Sequence, residues 1–147
     1  MTDPIFDEDA FVKALTERPE DARKFTTSFN AGWLNDAELI PVVQEIYAFV
    51  RKEKIPPSVE TLRKIFLLKD SEAYNLRFEP VFSRLEQCEP DPSYTLFTLN
   101  QARDVAITRS FINLTQDAAM RTKQESFDGN AIIREIAKWY RTFSDTD

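Results

Sequence analysis

The sequence predicts an all-α fold. Apolar residues recur at three- and four-residue spacing through most of the chain, and no segment sustains the period-two alternation of a half-buried strand. Prolines and Ser/Asp caps fall between the periodic stretches or at their first turns. With 147 residues, 42% of them hydrophobic and twelve of them Phe, the chain is long and apolar enough to bury the core of one domain. No internal repeat or low-complexity tract interrupts it.

The first helix opens at Phe6-Asp7-Glu8-Asp9: Asp7 is placed to cap it, two acids complement the positive end of the helix dipole, and Ala10, Phe11, Ala14 and Leu15 share one side up to about Arg18. Pro19 with Glu20 and Asp21 starts a second helix with an edge of Ala22, Phe25 and Phe29, and Gly32 marks its exit. After Trp33-Leu34 and Asn35-Asp36, the residues Leu39, Ile40, Val43, Ile46, Tyr47 and Val50 give the strongest helical pattern, with Pro41 absorbed in its first turn. Lys54-Ile55-Pro56-Pro57-Ser58 stops that helix and starts another, capped by Ser58 and carrying Val59, Leu62, Ile65 and Phe66. Residues 69–79 carry no readable pattern. A further segment from Pro80 to Cys88 turns Val81, Phe82 and Leu85 inward, and Glu89-Pro90-Asp91-Pro92 breaks the chain after it.

From Ser93 to about Gln124 there is neither Gly nor Pro, which allows one helix of about 30 residues, on the order of 45 Å long. Two apolar stripes run along it. Tyr94, Ala102, Val105, Ile112 and Ala119 lie on one side, and Leu96, Ile107, Phe111, Leu114 and Ala118 on the other. After Phe127-Asp128-Gly129 a last helix lines up Ile132, Ile133, Ile136, Trp139, Tyr140 and Phe143. The expected architecture is therefore a globular helical head over 1–92, a long antiparallel hairpin over 93–143, and a linker or tail at 144–147. The last helix is expected to pack on Ile107, Phe111 and Leu114 through Ile132, Ile136, Trp139 and Phe143. That leaves the stripe of Tyr94, Ala102, Val105, Ile112 and Ala119 for a second copy of the chain; burial beneath the head is the competing reading.

The residue inventory excludes several chemistries. There is no His, so the commonest general base and the Ser–His and Cys–His pairs are missing. Only Gly32 and Gly129 occur, too few and too isolated for a phosphate-cradling loop. The lone Cys88 cannot form an intramolecular disulfide, and neither a metal site nor a cofactor is expected. It reads as a small buried hydrophobe in a reducing cytoplasm. The Met-Thr-Asp-Pro start is unlike an export signal, and no run of about 18 apolar residues exists. The net charge is −6, and the excess acid lies in residues 1–92, which hold 12 basic and 18 acidic side chains. Direct nucleic-acid contact is not expected of such a surface, and a basic protein partner suits it better. The short clusters Arg51-Lys52-Glu53-Lys54 and Arg63-Lys64 read as a solvated helix face.

The order of these pieces resembles the N-terminal domain of DnaB-type hexameric replicative helicases, particularly phage-encoded ones. The resemblance rests on Phe6-Asp7-Glu8-Asp9-Ala10-Phe11 with Leu15, on Phe29 through Trp33-Leu34-Asn35-Asp36 and Leu39-Ile40-Pro41 with Ile46 and Phe49, and on Lys54-Ile55-Pro56-Pro57-Ser58-Val59-Glu60-Thr61-Leu62. It continues in Ala102-Arg103 and Arg109-Ser110-Phe111 of the long helix, the Phe127-Asp128 turn and the final Ile-rich helix. These are core-patterning residues, and their order over nearly the whole chain carries the likeness. It implies hairpins that pair, six copies forming a trimer-of-dimers collar, and docking of primase or helicase loader. In that family ATP hydrolysis belongs to a RecA-like motor domain, whose phosphate-binding motif this chain lacks. The chain is thus expected to be a non-catalytic assembly domain, either a fragment or free-standing; a stand-alone adaptor or inhibitor of helicase partners is the alternative. In a phage setting the compartment is the host cytoplasm.

Overall fold

The computed structural model describes residues 6–124 and 126–144, and among them every regular element is helical. In chain order these are α1 (Glu8–Glu17), α2 (Pro19–Ser28), a 3-10 turn (Ala31–Trp33), α3 (Leu39–Glu53), α4 (Val59–Lys69) and the single turn α5 (Ser71–Ala73). A π-helical turn (Tyr74–Phe78), α6 (Glu79–Gln87), α7 (Pro92–Arg121) and α8 (Gly129–Phe143) follow.

Local chemistry sets the boundaries. The side chains of Asp7, Ser58, Asp91 and Asp128 accept hydrogen bonds from first-turn amides of α1, α4, α7 and α8, satisfying donors that have no partner inside the helix. Pro19 and Pro92 occupy first-turn positions where the missing N–H is not needed, so α7 begins inside the proline break instead of after it. α3 starts at Leu39, with Pro41 in its first turn, and ends where Lys54 adopts a left-handed conformation (φ 68°) before Pro56-Pro57.

The opaque segment 69–79 is helical. Asp70 caps α5, and the π turn carries Tyr74 and Phe78 into the core. The Tyr74 ring stacks on Phe82 at 6.0 Å, and its hydroxyl accepts from the Arg63 guanidinium at 2.8 Å while donating to Glu79. Arg63 also pairs with Glu86, so this residue is engaged by acids of α6 and does not lie on a free basic face.

The core is built from α1, α3, α4 and α6, with Phe11, Leu15, Leu39, Ile46, Leu62, Phe82 and Leu85 fully enclosed. Each such side chain stabilises the fold by about 1.5–3 kcal/mol relative to exposure. Phe6, Phe11, Phe25 and Phe29 interlock with ring centroids 4.9 to 6.2 Å apart. Outside this core, Glu8 accepts from the amides of Asn35 and Asp36 at 2.8 and 2.9 Å. Arg84 bridges Asp9 and Asp36, so α1, the loop before α3 and α6 are tied at one end.

The break at 89–92 divides the chain but not the core. Leu99, Ala102, Val105 and Ala106 of α7 are buried against it, with α1 as the main neighbour of this stretch. Both helices carry buried alanines, Ala10 and Ala14 on α1 and Ala102 and Ala106 on α7.

Candidate interaction surface on the last two helices

Beyond Ser110, α7 leaves the core and its neighbour becomes α8. The two run antiparallel: Arg103 reaches the carbonyl of Phe143, the Trp139 indole donates to Ser110 Oγ at 2.8 Å, and Arg121 forms a two-pronged pair with Glu135 at 2.6 and 2.9 Å. The Trp139 ring lies 5.4 Å from Phe111 and 5.7 Å from Phe143, and Phe143 packs in turn on the core. The pair with Glu135 holds the Arg121 guanidinium above its ordinary pKa.

The structure separates the residues expected at the subunit interface. Ala102 and Val105 are 0% and 2% exposed within the single chain, so they are core and unavailable to a second copy. The physical reason is that this part of α7 packs on the head, with α1 as its main neighbour. Tyr94 is exposed, and its hydroxyl donates to Asp7 Oδ2 at 2.9 Å, which ties the start of α7 to the start of α1. Ile112 is half-buried and Ala119 exposed.

Of the residues expected to pack the two helices together, Phe111 and Trp139 meet across them, Phe143 packs beside Trp139, and none is sealed. Ile107, Leu114, Ile132, Trp139 and Phe143 are half-buried, while Phe111 and Ile136 are each 47% exposed. No residue of α8 is buried. At 100° per residue its apolar stripe spans from Trp139 to Ile133, wider than one neighbouring helix covers. The Trp139 and Phe143 edge meets α7 and the core. The opposite flank, Ile133, Ile136 and Tyr140, stays open, with Ile133 and Tyr140 about two-thirds exposed. On α7, Leu96, Phe97 and Met120 are also uncovered. Surplus apolar surface therefore exists on the flank of α8 and at both ends of α7, and it is absent from the Val105 stripe only where Ala102 and Val105 are buried.

Cys88 is half-buried at the end of α6, and burial followed by the nearby acids Asp7 and Asp9 pushes its thiol pKa up, away from reactivity. Among the described residues no group of three or more His, Cys, Asp or Glu is arranged to hold a metal ion, and no helix is long and apolar enough to cross a membrane. No protein-family profile matches the chain, and neither a characterised protein nor a solved structure shows significant similarity to it.

Proposed function

We propose that the chain is a non-catalytic assembly and partner-docking domain of a replicative DNA helicase of the DnaB type. In this reading the core of α1–α6 with the first half of α7 is a globular head, and the rest of α7 with α8 is a hairpin that pairs with the hairpin of a second copy. The observation that supports it is the open flank Ile133, Ile136 and Tyr140, an apolar surface that its own chain leaves uncovered. The order of sequence elements over nearly the whole chain supplies the helicase context. The excess acid of residues 1–92 suits docking of a basic face on primase or loader.

Pairing restricts how subunits are arranged around DNA, and docking recruits a second enzyme; neither step requires an active site. Sedimentation velocity over a range of concentrations tests the pairing. The wild-type chain is expected to pass from monomer to dimer, and Ile136→Glu to remain a folded monomer. A chain that stays monomeric at every concentration overturns the proposal.

A further inference from the structure

A cavity of about 660 Å³ lies between the core and α8, on the side of α8 opposite its open flank. Its size falls in the range of small-molecule sites. From α3 it is lined by Gln44, Tyr47 and Arg51, which helical spacing places on one face, from α8 by Lys138 and Trp139, and from the 3-10 turn by Trp33.

Three features of this lining bear on what it could hold. The Tyr47 hydroxyl has no hydrogen-bond partner although the residue is only 5% exposed, and a buried donor left unpaired costs about 1–3 kcal/mol. Burial raises the pKa of this hydroxyl and the Arg51 guanidinium opposes the rise, so the two groups lie within electrostatic reach of each other. Arg51 and Lys138, both exposed at the cavity mouth, have no ionic partner among the described residues, in a chain whose net charge is −6. The carboxylate of Glu135, which also lines the cavity, is already taken by Arg121. Both tryptophans of the chain border the same space.

We infer that this cavity binds a small organic anion with a planar apolar body: the acid group would sit by Arg51 and Lys138, with the ring system along Trp33 and Trp139. The guanidinium and ammonium groups supply charge-assisted donors, and the two indole rings supply part of the apolar lining. The site is separate from the flank proposed for pairing, so binding is not tied to self-association.

Calorimetry with 4-nitrobenzoate, 4-nitrobenzyl alcohol and 4-nitrobenzylamine tests it on the whole chain, with tryptophan emission as an independent readout. The acid is expected to bind saturably and alter the emission, and the neutral and cationic analogues to bind at least about tenfold more weakly, a difference of about 1.4 kcal/mol. Arg51→Gln is expected to weaken the acid about tenfold, and Tyr47→Phe to weaken it by a smaller factor. Lys52→Gln, an exposed change outside the cavity lining, should leave it unaltered. Equal binding of acid and alcohol, an unchanged Arg51→Gln, or no saturable binding of the acid would each overturn the inference. So would an acidic peptide that binds where 4-nitrobenzoate does not, since the cavity would then belong to a protein partner.

Discussion

The core region and the α7–α8 arm are written in the same amphipathic code, yet they end in different physical states. Ile46 on α3 is fully enclosed by neighbours on several helices. Ile133 on α8, an identical side chain on an equally patterned helix, is 64% exposed. An apolar stripe states a demand for burial, and the number of neighbouring helices decides whether the chain itself meets it. In the core, α1 touches α2, α3, α6 and α7; α8 has α7 as its principal neighbour.

The largest effect is expected where the two halves of α7 are contrasted. Val105→Asp places an unpaired charge in the core and is expected to unfold the domain, because such burial costs several kcal/mol. Ile136→Asp, compared at a concentration where the chain is monomeric, is expected to leave the helical circular dichroism and the urea midpoint nearly unchanged. A folded Val105→Asp monomer would return the first stripe to the subunit interface.

The second contrast keeps the chemistry fixed. Ile46→Ala is expected to lower unfolding free energy by about 2–5 kcal/mol. Ile133→Ala, measured by urea denaturation at a concentration where the chain is monomeric, is expected to change it by no more than about 0.5 kcal/mol. Equal losses at both positions would mean that α8 is more enclosed than its exposure indicates.

A smaller effect is expected at the seam between α7 and α8. Ser110→Ala removes the acceptor of the Trp139 indole and should cost about 1 kcal/mol, accompanied by a shift in tryptophan emission. The smallest effect is one of pH in the core region. The Tyr74 hydroxyl, aided by Ser83 and Arg63, lowers the Glu79 carboxyl below its ordinary pKa of 4.5. A carboxyl depressed on folding adds stability that is present above its unfolded value and fades as pH falls through the folded value. The urea midpoint of the wild type should therefore fall more than that of Glu79→Gln on acidification below the ordinary glutamate range. An identical acid dependence in the two would remove Glu79 from the network.

Much of this division was legible in the sequence. The caps Asp7 and Ser58, the start of α3 near Leu39 and the long uninterrupted α7 follow from local rules about backbone donors and proline. Which stripe of α7 meets which neighbour did not follow, because helical periodicity reports that a face is apolar and not what lies opposite it. The π turn at Tyr74–Phe78 was illegible for a related reason: its register is held by the contacts of Tyr74 with Arg63, Glu79 and Phe82, residues distant from any local signal. The cavity beside Tyr47 also arises only when residues of α2, the 3-10 turn, α3, α7 and α8 come together, and no spacing within any one helix announces it.

The central claim is that the flank of α8 is open in one chain and covered in two. Hydroxyl-radical footprinting of the chain, dilute and then concentrated, reads this side chain by side chain. Ile133, Ile136 and Tyr140 are expected to lose reactivity at high concentration, while Leu68 and Leu76, exposed on another part of the molecule, keep theirs. Unchanged reactivity on α8, or protection centred on Leu68 and Leu76 instead, would contradict it.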